Sequence, residues 1–523
     1  MKSLRRAATA GIVLALGVSL ASCGSDTFEV PEGFFGTVVA EEPRAALLAR
    51  DVLVEGGSAA DAAVTAYFTL AATLPSSAGL TATGSCLVHD PSQKSYQRLD
   101  FFPSAGADGA ATTALPLAPR AMFSLHARHG IKPLAELIIE AERIARFGAP
   151  VSRSLALELA ADGAVVTRDP AASRLYAADG RPLVQGAALA QVELAATLSR
   201  LRSEGVGTLY SGSLARDFID GAAAAGVTVD AQRLRETLPV WSPATGVEHD
   251  NHIWAVAAPT PADVRLGTAA FGTIVEGADW TDGDDDSRAH LMAEALNAAT
   301  LLAGGDGALD EDTLSDALAR YDEDRRGLSA PLPRLERTLG SRATRRAGAT
   351  AFFAVDRTGL SVACAIGLGA PFGTGRMIPN LGVFLAPVET ESGDGPGAFA
   401  LMAANINTGQ FHMATSGAGG RAALSAVTAT ALDHWESRIQ IEAVPDRPRS
   451  HYAGGANVLF VEPSTSAEVV SDLQRRGYTV QPAPSIGTAN AFRCVEGLPR
   501  REIRCGAAPD QRGAGLMLFE FGG

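Results

Sequence analysis

Apolar and polar positions follow two rhythms along this chain, and the change of rhythm divides it. Pro43 opens a stretch of helical spacing that runs to about Glu55 and stops at Gly56-Gly57. Ser58 with Asp61 makes a capping-box pattern that starts an Ala-rich helix ending before Pro75. Val38–Ala40, Gly84–Asp90 and Tyr96–Phe102 read as strands. From about Ala118 to Gly304 helical spacing prevails, as in Pro133–Gly148 and Arg288–Gly304, with one strand at Ile253–Ala258. Leu328–Ala347 breaks the periodicity and reads as an exposed linker. Beyond it strands dominate: Thr350–Val355, Ser361–Leu368, Gly382–Leu385, Asn457–Val461 and a hairpin between Cys494 and Cys505. Helices at Arg421–Trp435 and Ser466–Arg476 lie among them. The mixture predicts a layered protein of helices packed outside sheets.

Composition narrows this picture. With 523 residues, 46% of them hydrophobic and 20% charged, the chain has material for a large core and is not a disordered tract. A net charge of −14 argues against nucleic acid as a partner, because phosphate binding needs a basic face.

The first residues stand apart. Lys2, Arg5 and Arg6 precede an apolar stretch, Ala10–Leu20, too short to span a bilayer. It ends in Leu20-Ala21-Ser22-Cys23, which resembles the lipobox of bacterial lipoproteins. That resemblance implies a signal peptide at 1–22, a lipid on Cys23, and a lipidated spacer at 23–37. Gly24 rather than Asp after the Cys points to the periplasmic face of the outer membrane. The membrane is then met through the lipid alone. Export places the other cysteines in an oxidising compartment. Cys494 and Cys505 flank Gly497-Leu498-Pro499, read as a hairpin turn, and a cross-strand disulfide is expected there. Cys86 and Cys364 sit in apolar strand-like runs with no nearby His, and are expected as buried free thiols.

Several segments, in order, resemble the γ-glutamyltranspeptidases. They are Gly56–Val64 (GGSAADAAV), Tyr210–Ala215 (YSGSLA), His290–Leu296 (HLMAEAL), Asp356–Gly359 with Phe372–Gly375, Thr415–Gly420 (TSGAGG) and Gly506–Gly515 (GAAPDQRGAG). The resemblance implies an α+β fold, a four-layer αββα sandwich of the N-terminal-nucleophile hydrolase type. It also implies a large-subunit-like region at 38–327, a cleavage-segment equivalent at 328–348 and a small-subunit-like region at 349–523. No cofactor and no metal are implied.

Such enzymes cut themselves before a Thr, whose freed amine takes the hydroxyl proton as the oxygen attacks a γ-glutamyl amide. Backbone N–H groups at a glycine pair hold the oxyanion, and an Arg clamps the substrate carboxylate. Here, spacing back from Asp356 puts Ala349 in the nucleophile slot and Thr350 in the next. A methyl group cannot attack a carbonyl. The Arg slot holds Phe102, with Arg98 nearby; an Asn slot holds Gly369; a Ser-Ser pair falls on Ala398-Phe399. Gly419-Gly420 remains as a candidate oxyanion element, and Glu391 as a carboxylate able to meet an ammonium group. Use of Thr350 would need a bulge or a shifted cut, because a one-residue slip turns a strand side chain to the other face.

Other constellations read as structural. His249 and His252, three apart, are taken as part of a polar loop rather than metal ligands. Asp282–Ser287 reads as an acidic flank of the following helix, complementing its dipole. The expectation is a γ-glutamyltranspeptidase-like exported lipoprotein that lacks the family's catalysis and takes a small γ-glutamyl or peptide-like ligand. The alternatives are a divergent amide hydrolase using Thr350 after self-cleavage, and a standard γ-glutamyl transferase in a different register.

Overall fold

The computed structural model describes residues 34–102, 115–281, 283–305, 307–319, 321–324, 348–387, 397–453, 457–500 and 504–521. Cys23, Glu391 and nearly all of the expected linker lie outside the described residues.

Two antiparallel sheets form the centre. The first has seven strands, in the order β13 (Leu516–Phe521), β1 (Phe34–Ala40), β7 (Ala349–Asp356), β8 (Ser361–Gly367), β2 (Thr83–Asp90), β3 (Ser95–Phe101) and β4 (Val240–Pro243). The second has six: β12 (Cys505–Ala508), β11 (Asn490–Leu498), β10 (Phe411–Ala418), β9 (Ala398–Asn405), β6 (His252–Ala257) and β5 (Gly246–His249). β7 and β8 pair inside the first sheet with β1 and β2, so segments from both sides of residue 349 share one sheet.

Three packed layers of side chains fill the spaces. Ala351, Phe353, Ala363, Ala400 and Phe492 pack between the two sheets. Phe352, Ala354, Val362 and Ile366 point the other way, onto helices α1 (Pro43–Val54) and α2 (Ala59–Thr73). Beyond the second sheet, Trp254, Leu401 and Met413 meet α3 (Pro261–Gly277), α4 (Asp285–Ala303) and α5 (Ala422–Trp435). This is the four-layer αββα arrangement that the resemblance implied. The strand alternation of period two sorts each residue to its layer. A small three-stranded sheet (Ser450–Tyr452, Val458–Val461, Thr479–Pro482) and helix α6 (Ala467–Arg475) stand against α4.

Local chemistry explains the helix starts. The Ser58 hydroxyl accepts from Asp61 N–H while Asp61 accepts from Ser58 N–H, the capping box expected. Asp284 caps α4, so the acidic run does flank that helix.

Several expectations change. β1 starts at Phe34, inside the stretch assigned to a spacer, because pairing with β7 and β13 extends it. The strand expected at Gly382–Leu385 shrinks to Val383–Phe384. β9 and β10, in the middle of the second sheet, are strands that the sequence pattern does not predict, and Thr415–Ala418 of the TSGAGG segment lies in β10. Gly497 and Leu498 still belong to β11, so they are strand rather than turn.

The cysteines give one agreement and one correction. Cys494 and Cys505 face each other in register and form the expected disulfide. Cys86 and Cys364 are not free thiols. They lie directly opposite on β2 and β8, with Cα atoms 4.0 Å apart, and are bonded. Sequence neighbourhood suggested no partner because the two are 278 residues apart, and only the sheet order brings them together.

Candidate active site

The position that spacing back from Asp356 assigns to a nucleophile is the first residue of β7. Gly348 leads into it with φ +67, and a Cβ there would lie 2.1 Å from the Ala370 carbonyl, so the approach admits only glycine. Ala349 follows, 1% exposed, with its methyl in the layer between the sheets.

Thr350 faces the opposite way. It pairs with Ile366 and precedes Phe352 and Ala354 by the strand period, which places it on the helix side of the sheet. β7 pairs in unbroken register from Ala349 to Val355, so no bulge brings Thr350 round. Its hydroxyl is fully buried and donates to Glu41 Oε2 at 3.2 Å. The other carboxylate oxygen, Oε1, accepts from Thr488 Oγ1 at 2.5 Å, and Thr488 in turn accepts from Ala418 N–H. Glu41 thus joins the end of β1, the start of β7 and the segment before β11. Sequence reasoning missed this carboxylate; the sole signal was an acid directly after an apolar strand.

This clasp carries a prediction. Glu41→Ala should lower stability by about 1–3 kcal/mol, because buried hydroxyl groups lose their acceptor. Thermal unfolding of the purified variant checks it, and an unchanged midpoint would remove the clasp.

The remaining expected site residues separate. Gly419 N–H already donates to Gly397 O at 3.0 Å. A Cβ on Gly397 would sit 1.8 Å from the Gly420 carbonyl carbon, so this pair permits two backbone segments to touch. One of the two expected oxyanion donors is therefore engaged within the fold. Phe102 packs against the core beyond the second sheet. Arg98 is no substitute clamp, since its guanidinium grips Asp100 with two bonds of 2.7 and 3.0 Å.

The motif residues that carried the resemblance prove to hold the frame. Asp356 Oδ2 accepts from Ala59 N–H at the start of α2, and Oδ1 accepts from Thr358. Burial pushes the Asp356 carboxyl above its ordinary range, against the pull of those hydrogen bonds. His290 and Glu294 both meet the Tyr478 hydroxyl, at 2.8 and 2.9 Å, tying α4 to the small sheet. His249 meets Glu436, and His252 meets the Asp250 carbonyl. Among the described residues no group of three or more His, Cys, Asp or Glu is placed to hold a metal, and no helix is long and apolar enough to cross a membrane.

Comparison with known proteins agrees with the fold. The chain is 26% identical to the Acylase ACY 1 proenzyme of Pseudomonas sp. (strain V22), over 88% of this chain and 90% of that one. It is 24% identical to the Glutathione hydrolase proenzyme of Bacillus subtilis (strain 168), over 87% of each. The crystal structure of cephalosporin acylase from Bacillus halodurans superposes with a TM-score of 0.76, covering 97% of this chain and 99% of that one at 18% identity. The family profile described as Gamma-glutamyltranspeptidase matches residues 45–390 and 399–518, and the chain belongs to the γ-glutamyltranspeptidase family.

Proposed function

We propose that this protein is a non-catalytic member of its family, exported, anchored by lipid on Cys23 at the periplasmic face of the outer membrane, and able to hold a small γ-glutamyl or peptide-like ligand. The observation that carries the reading is the occupant of the nucleophile slot. Ala349 supplies a methyl group between the sheets, and the neighbouring hydroxyl of Thr350 is turned away and bonded to Glu41. An Ntn-type attack needs the hydroxyl and the new amine on one residue at that slot. The engaged Gly419 N–H and the Arg98–Asp100 pair support the same reading. The relatives named acylase and glutathione hydrolase set the class of activity that is absent: amide hydrolysis or transfer.

The test is N-terminal sequencing of the mature protein with electrophoresis under reducing conditions. Reduction matters, because the Cys86–Cys364 bond joins residues on either side of position 349. A cut chain would otherwise migrate as one species. The expected result is one intact chain, no release from a γ-glutamyl anilide, and Thr350→Ala unchanged in migration. Two reduced fragments, the smaller beginning at Thr350, would sink the reading in favour of the Thr350 hydrolase. Loss of palmitate labelling in Cys23→Ala checks the anchor, and labelling that persists would refute it.

A further inference from the structure

A cavity lies away from the β7 slot, where α4 and α5 face the small sheet and α6, and it holds about 280 Å³. That is near the lower end of the roughly 300–1,000 Å³ of small-molecule sites. Its apolar wall includes Trp280, Met292 and Val461. Three guanidinium groups, from Arg288, Arg447 and Arg449, also line it, against two carboxylates, from Asp285 and Asp433.

The partners of these charges are unequal. Arg447 takes up both carboxylates, with Asp433 at 3.0 Å and Asp285 closer still. Arg449 is 6% exposed, and one of its terminal nitrogens is committed to Asp510 at 2.6 Å and to the Gly487 carbonyl. Its other terminal nitrogen has only a 3.5 Å contact with the Thr430 hydroxyl, which lines the same cavity. Arg288 forms no ion pair with a described carboxylate; it donates to the carbonyls of Trp280 and Thr281. Thr465 also lines the cavity, and its Oγ1 is buried without a hydrogen-bond partner. An orphaned hydroxyl and an under-used buried guanidinium are both costly unless something completes them.

We propose that this cavity binds a small molecule bearing one carboxylate on an apolar stem. The carboxylate meets Arg288 and Arg449, accepts from Thr465, and leaves its stem against Trp280 and Met292. A planar carboxylate suits the guanidinium fork, and a cation would find both carboxylates of the lining already held by Arg447. The site is independent of the non-catalytic reading, since none of its residues belongs to the β7 slot. It nevertheless touches that region: Arg449 holds Gly487, the residue before Thr488 of the Glu41 clasp.

Titration calorimetry of the full mature protein with hexanoate tests the proposal, with hexylamine and inorganic phosphate as comparison probes. Saturable binding of one hexanoate per chain is expected, weakened roughly tenfold or more in Arg288→Gln and several-fold in Thr465→Val. Thr465→Val should retain the parental unfolding midpoint without ligand, because its hydroxyl has no partner to lose, and Arg288→Gln, which gives up bonds to the Trp280 and Thr281 carbonyls, is titrated well below its own midpoint. Hexylamine should give no saturable heat, and phosphate should bind more weakly than hexanoate. Absence of hexanoate binding, an affinity unchanged in Arg288→Gln, or tighter binding of phosphate or hexylamine would each overturn it.

Discussion

Replacing Cys86 and Cys364 together by alanine should lower the unfolding free energy by about 3–5 kcal/mol. The bond closes a loop spanning 278 residues, and the constraint it places on the unfolded chain grows with the logarithm of loop length. Both residues are fully buried on the helix side of the first sheet, beside Val88, Val362 and Ile366. Alanine in both positions also leaves a small void, which adds to the loss. The Cys494–Cys505 bond provides an internal comparison. It spans 11 residues, and its removal should cost about 2–3 kcal/mol by the same argument. Guanidinium unfolding of the two double variants beside the parent measures both. A change below about 1 kcal/mol for the Cys86–Cys364 pair, or a larger loss for the hairpin pair, would contradict the loop argument.

That bond also shows which features a sequence conveys and which it does not. Asp356 and Gly359 were legible, because the turn they make is local: Asp356 accepts from Thr358, and Gly359 N–H closes onto Asp356 O. The α2 capping box was legible for the same reason, being a contact between residues three apart. Glu41 and Thr350 meet across 309 residues, and no local pattern announces such a contact. β9 was hidden differently. Its sequence, AFALMAAN, is rich in a residue with little strand preference, and it becomes a strand because β6 and β10 flank it. The Gly419-Gly420 pair was visible, but its use was not. A glycine pair looks the same whether its N–H groups await an oxyanion or, as at Gly419, bind Gly397.

On acidification from neutral pH, His451→Gln should lose measurably less stability than the parent. Burial pushes the His451 imidazole down from 6.5 to about 3, and Arg421 adds to the shift. His412 is likewise lowered to about 3 by burial, with His252 and Arg493 adding to it. Burial takes His89 to about 4 although Asp90 pulls it up. In each case the folded value lies below the unfolded one, so the unfolded chain takes up the proton first as pH falls. The stability from a neutral buried ring is complete above about pH 6.5 and drains away between there and about pH 3–4. For His451, 4% exposed, the loss near pH 5 is about 2 kcal/mol. Asp263 works in the opposite sense. Its carboxyl is raised to about 6 by burial, so the folded form protonates first and gains stability as pH falls below that value. The net curve therefore mixes signs, and variants must separate them. Between about pH 7 and pH 5, His451→Gln should lose less stability than the parent, by about 2 kcal/mol, whatever its absolute stability. His412→Gln should move in the same direction, while Asp263→Asn should move in the opposite one by removing a group that gains stability as pH falls. Urea unfolding at both pH values reads all three slopes. Parallel slopes in the parent and both histidine variants would show that these rings do not stay neutral in the folded protein.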